Sequence, residues 1–122
     1  MLRLPCLRTE GEDHVLLRTR DAGVLATADI VWDVGTVYDP ATRRYDHHQR
    51  GAPTRSDGQP FSAAGLVWRH HGEAAVRRAL APGEEHLAAE IAHQLDEGIV
   101  RRIDEIDNGT GPSSDPLSLS WA

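Results

Sequence analysis

At 122 residues, with 39% hydrophobic and 26% charged side chains, the chain is sized for one domain and composed like an ordinary globular protein, which excludes gross disorder. A net charge of −6 makes its bare surface a poor match for nucleic acid or an anionic membrane, and no apolar run approaches the roughly 20 residues of a membrane span. The one cysteine, Cys6, excludes an internal disulfide, and the first eight residues are too short and too broken by Arg3, Pro5 and Arg8 for a secretory signal, so a cytoplasmic setting is expected. All 13 basic residues are arginine, which with the many alanines and glycines reads as coding bias rather than a preference for phosphate.

In chain order, Val15-Leu16-Leu17 is a first short apolar segment, followed by an Ala-rich stretch over 21–28. Residues 29–35, Asp-Ile-Val-Trp-Asp-Val-Gly, have a continuous β-branched and aromatic centre, the pattern of a strand buried on both faces. Residues 36–46 read as a hairpin, with Val37-Tyr38 and Arg44-Tyr45 as arms and Asp39-Pro40-Ala41-Thr42 as the turn. Residues 49–60 hold proline, glycine and polar side chains with nothing to bury, and read as a loop.

Ser62 is a helix N-cap candidate for a helix ending at Gly72, with a second short helix over 73–80 stopped by Pro82-Gly83. The longest periodic stretch is 84–106, where Ala88, Ile91, Ala92, Leu95, Ile99, Ile103 and Ile106 form one apolar stripe, ended at Gly109 or Asn108. The end of the chain, Leu117 to Trp121, alternates like the start of a strand. Strands alternating with helices predict an α/β fold with a mainly parallel sheet, whose functional groups lie at the carboxyl ends of the strands, where Asp33 falls.

Chemistry concentrates at Asp46-His47-His48. Two imidazoles beside a carboxylate offer a metal ligand, a second ring for a phosphate or leaving group, and an acid to orient them. Taken alone the triplet is open between that role and a solvated surface pair, the role expected of His70-His71 on a helix. Asp33 ends a buried strand, where an unpaired carboxylate is costly. Asp104 and Asp107 lie in the last turn of the long helix, at the unfavourable end of its dipole, a conflict that a cation, or Arg101 or Arg102, removes. On a regular helical wheel Asp107 borders the apolar stripe and Asp104 points to the polar side, so Asp107 is the expected inward ligand.

The run 28–35, then Val37-Tyr38-Asp39-Pro40, then Arg44-Tyr45-Asp46-His47-His48-Gln49-Arg50-Gly51, resembles the core of the melanocyte-proliferating-gene family, metal-dependent hydrolases and exonucleases of the DHH phosphoesterase superfamily. The segment 62–72 resembles that family's next helix, and Asp104-Glu105-Ile106-Asp107-Asn108-Gly109 its acidic motif; the likeness runs over 15–109. It implies a doubly wound, mainly parallel α/β domain with a two-metal site, manganese or magnesium favoured. Carried over by position, it implies Asp33, His47 and Asp107 as metal ligands, His48 reaching the scissile phosphate, Asp46 orienting the histidines, and Arg50 on phosphate through its planar fork. The implied substrate is a phosphoester, nucleic acid in particular.

The family's opening His- and Asp-rich motif on a first strand has no counterpart here, since Met1 to Pro5 resembles the end of the helix that follows it, and Asp13 and His14 align with a surface segment. The chain is therefore expected to be one incomplete domain over 1–122, lacking the first strand and truncated at both ends, with an exposed sheet edge and a tendency to self-associate. Two other readings stand beside the hydrolase. One is a catalytically incomplete remnant that binds metal weakly or serves as an interaction module. The other is a zinc-binding regulator using His47, His48, His70, His71, His86 and His93.

Overall fold

The computed structural model describes residues 15–111. Expectations that fall on Cys6, on Asp13 and His14, or on 117–121 lie outside the described residues.

Asp21 caps the first helix, α1 (Ala22–Thr27), accepting from the Gly23 and Val24 amides at 2.9 and 3.1 Å. Its carboxyl end is gathered by Arg44, whose guanidinium donates to the carbonyls of Leu25, Ala28 and Asp29 at 3.1, 2.8 and 3.3 Å, charge against the negative end of the helix.

Three short strands follow: β1 (Val31–Trp32), β2 (Tyr38–Asp39) and β3 (Arg44–Tyr45). The hairpin forms as its turn chemistry requires. Asp39 accepts from the Ala41 amide at 3.1 Å, Pro40 opens a single 3₁₀ turn (Pro40–Thr42), and Arg43 closes it in left-handed backbone at φ 57°. β2 pairs with β3 antiparallel and β1 pairs with β3 parallel, giving the order β1-β3-β2. The sheet is thus mixed and small. The strand expected over 29–35 is paired over two residues only, and just one of them, Val31, is buried; among the described residues β1 has a partner on one side alone.

Ser62 caps α2 (Ala63–Ala79), its Oγ accepting from the Gly65 amide at 3.0 Å. The helix does not stop at Gly72. That glycine is buried, and a Cβ there would lie 2.6–2.8 Å from three indole atoms of Trp68, so the small residue admits a ring rather than ending a helix. The separate helix expected over 73–80 is the second half of α2, which ends at Leu80 ahead of the turn at Gly83 (φ 90°).

The 84–106 stretch is helical from Glu85 on, but not regularly so. A 3₁₀ turn (Glu85–Leu87) leads into α3 (Ala88–Leu95), a π turn (Asp96–Val100) and α4 (Arg101–Asp107). The Arg101 amide donates to the Asp96 carbonyl, five residues back, so one extra residue is taken into that turn. The buried face therefore shifts from the expected stripe: Ala88, Ala92, Val100 and Asp104 are inside, while Ile99 and Ile103 are 58% and 39% exposed.

α2 is the centre of the fold. One face packs Leu66 and Val67 against Tyr45 and Phe61 over the sheet. Further along, Val76 packs with Ala88 and Ala92 of α3, flanked by Trp68, whose Nε1 donates to the Ala92 carbonyl at 3.1 Å. Burying Leu66 completely contributes about 2 kcal/mol.

Candidate metal centre

The parallel pairing of β1 with β3 makes the site. Val31 stands opposite Arg44 and Trp32 opposite Tyr45, so both strands run out at the same end of the sheet, Asp33 from one and Asp46-His47-His48 from the other. The Asp33 amide still donates to the Tyr45 carbonyl at 3.0 Å, and the chain then turns away with Asp33 in left-handed backbone at φ 65°, a conformation aspartate tolerates better than most residues.

Asp46 is buried, 1% exposed, and is built into the backbone around it. Its carboxylate accepts from the amides of Thr36, His47 and His48 at 2.6, 2.8 and 3.3 Å and meets His48 Nδ1 at 2.6 Å. Burial pushes its pKa up, but the Thr36 amide, the His48 ring and the two following amides together outweigh it and hold the carboxyl below its ordinary 3.8. An ionised carboxylate can only accept, so His48 Nδ1 is the donor and Nε2 is the atom turned away from Asp46.

His47 lies between two carboxylates. Its side chain is 5% exposed, with Nε2 at 3.3 Å from Asp33 Oδ1 and 3.1 Å from Asp107 Oδ2. Neither approach is aligned as a hydrogen bond, and both ring nitrogens lack a hydrogen-bond partner. A nearly buried ring with two unsatisfied nitrogens is costly, and a nitrogen aimed between two carboxylates without bonding either is an arrangement that could hold a cation. One ligand atom each from Asp33, Asp46, His47 and His48 lie within 4.8 Å of one another.

The structure brings Asp33, Asp46, His47, His48 and Asp107 to one place, from two strand ends and the end of α4. Arg50 is exposed on the turn after His48, and among the described residues it makes no ion pair with this group. The other histidines lie elsewhere: His70 Nε2 meets Tyr38 Oη at 2.6 Å, His71 Nε2 meets Tyr45 Oη at 2.8 Å, and His86 and His93 are exposed. Among the described residues none joins the four-residue group; His70 is exposed on α2 as expected of a surface pair, His71 is half-buried, and both also tie α2 to the hairpin through two tyrosines.

The expected wheel placement of Asp104 is also corrected. Asp104 is completely buried and Asp107 half-exposed, because the π turn rotates everything after it. Asp104 accepts from the Ser62 amide and hydroxyl at 2.9 and 2.7 Å and from Arg55 Nε at 2.8 Å, while the rest of the Arg55 guanidinium binds Asp96. This network had one weak sequence signal, Arg55 in an otherwise polar loop that also holds Arg50.

Residues 1–118 match the model of the uncharacterised protein family UPF0160, MYG1_exonuc. The chain belongs to the MYG1 family. It is 39% identical over 106 residues to MYG1 protein C27H6.8 of Caenorhabditis elegans, covering 80% of this chain and 31% of that one. It is 38% identical over 112 residues to the MYG1 exonuclease of Homo sapiens and 41% identical over 112 residues to that of Mus musculus, in each case covering 84% of this chain and 30% of the relative. The chain thus spans less than a third of the length of the curated MYG1 relatives it matches. No solved structure matches. Among the described residues no helix is long and apolar enough to cross a membrane.

Proposed function

We propose that this MYG1-family chain carries part of a metal-dependent phosphoesterase centre acting on nucleic-acid phosphodiesters, within a single doubly wound α/β domain of the DHH type in the cytoplasm. The observation that carries the reading is His47 Nε2, buried and unbonded between Asp33 and Asp107. The nuclease assignment is supported by relatives named MYG1 exonuclease.

Asp33, His47 and Asp107 would hold a divalent ion, manganese or magnesium, in what the kinship implies is a two-metal site. Such ions act as Lewis acids on a phosphoryl oxygen and ease deprotonation of water near neutral pH. The protein's own contribution is positional. Asp46 commits His48 Nδ1, which leaves Nε2 as the ring atom facing a phosphoryl oxygen or a leaving group. Arg50, exposed on the turn after His48, offers a bidentate donor to phosphate.

The test is Mn2+ binding together with Mn2+-dependent hydrolysis of a phosphodiester and a single-stranded oligonucleotide. Binding and turnover by the wild-type chain, both lost in Asp33→Asn, are expected. Unchanged activity in Asp33→Asn, or no Mn2+ binding at all, overturns the reading. The chain's coverage of under a third of its relatives favours a second reading, a domain that holds metal without turnover. Mn2+ binding without hydrolysis selects it.

A further inference from the structure

Asp107 reaches His47 from a helix that shares no strand or turn with Asp46-His47-His48, so its place depends on how α4 is rotated and held. The π turn sets the rotation. Eight residues of regular helix sweep about 800°, leaving side chains at 96 and 104 about 80° apart around the axis. With one extra residue absorbed at Asp96–Val100, the two carboxylates come within about 20° of a common face.

Arg55 occupies that face. Its side chain is 8% exposed; Nη1 and Nη2 donate to the two oxygens of Asp96, each at 2.8 Å, and Nε donates to Asp104 Oδ2 at 2.8 Å. One planar fork therefore ties the beginning of the π turn to the helix beyond it. The same loop is stitched to α4 further on: Ser62 to Asp104, the Asn108 side-chain amide to the Pro60 carbonyl at 3.2 Å, and Thr110 Oγ1 to Gln59 Oε1 at 2.9 Å. The loop over 49–60 that reads as having nothing to bury is the cradle of the helix end that carries Asp107.

We infer that Arg55 is a positioning residue for the metal centre: by bridging Asp96 and Asp104 it holds the π-turn register of α4 that delivers Asp107 to His47. The inference rests on the proposed reading of Asp33, His47 and Asp107 as ligands. A purely structural Arg55 would affect every ligand alike. A positioning Arg55 acts through Asp107 and leaves Asp33, which comes from β1, untouched. Lysine in its place keeps one positive charge but lacks the planar fork that places Nη1 and Nη2 on Asp96 and Nε on Asp104 at once.

The experiment is Mn2+ titration of the full chain, followed by electron paramagnetic resonance, for wild type, Asp33→Asn, Asp107→Asn and Arg55→Lys and for the last combined with each of the others. Helical content is checked by circular dichroism. Arg55→Lys is expected to weaken Mn2+ binding about tenfold with helical content kept. Adding Asp107→Asn to it then costs nothing more, while adding Asp33→Asn costs as much as in wild type. Wild-type affinity in Arg55→Lys, or an undiminished cost of Asp107→Asn in that background, overturns the inference while the ligand reading stands. Equal binding by wild type and Asp33→Asn overturns the ligand reading and this inference with it. Should Arg55→Lys fail to fold, Asp96→Asn carries the same comparison, since it frees only the bidentate arm and leaves Nε on Asp104; a smaller loss with the same non-additivity supports the inference, and full additivity overturns it.

Discussion

Asp33 combines a proposed ligand position with left-handed backbone at φ 65°. A non-glycine residue there carries a steric cost of about 1 kcal/mol, and glycine does not. Asp33→Gly is therefore expected to be about 1 kcal/mol more stable than Asp33→Ala in thermal denaturation, while both lose at least tenfold in Mn2+ affinity; equal stability of the two would show that the backbone is not strained. His70 gives the pH dependence. Burial, then the Arg69 charge, then His71 hold its pKa below the ordinary 6.5, so the unfolded chain binds the proton more readily. The stability it contributes is present above pH 6.5 and is lost as the pH falls from there through its lowered value. The unfolding midpoint should therefore drop less between pH 7 and 5.5 in His70→Gln than in wild type. Asp33 and Asp46-His47-His48 were legible in the sequence because each is a few residues long and sits at a strand end. Asp104 was not, since its burial depends on Arg55 and Ser62, 49 and 42 positions away.

Among the elements, the hairpin and the start of α2 follow from local chemistry: Asp39, Pro40 and Ser62 satisfy backbone groups within three residues of themselves. Gly72 shows where local chemistry misleads. On helix propensity alone Gly72→Ala would stabilise by about 1 kcal/mol. The Trp68 ring, pinned by its bond to the Ala92 carbonyl, occupies the space a methyl group needs, so Gly72→Ala is expected to destabilise by roughly 1–3 kcal/mol in urea denaturation. A stabilised variant would mean that the ring moves freely. The long helix fails the regular wheel for a comparable reason. Its apolar spacing is that of an α-helix, but the Arg55 fork and the core at Val100 are met only with a residue absorbed at the π turn.

For the molecule as a whole, the net charge of −6 and three carboxylates around two imidazoles are a mismatch for a phosphate polymer until a cation is added. Binding of a labelled single-stranded oligonucleotide, read by fluorescence anisotropy at physiological salt, is expected to be undetectable in chelator and measurable with Mn2+. Mn2+ at a hundredfold its dissociation constant should also stabilise the fold by about 2.7 kcal/mol, seen as a rise in thermal midpoint that a chelator reverses. Binding that is indifferent to metal would place the nucleic-acid contact away from this centre.

Caps, turns, the hairpin and the Asp-His-His triplet were determined by the sequence itself, because each is settled by groups a few bonds apart. Only the tertiary structure decided that α2 continues through Gly72, that α4 turns Asp104 inward, and that Asp107 meets Asp33 across His47. Those outcomes depend on contacts between segments remote in the chain, where the space left by one side chain or the reach of one guanidinium outweighs the preference of any local run.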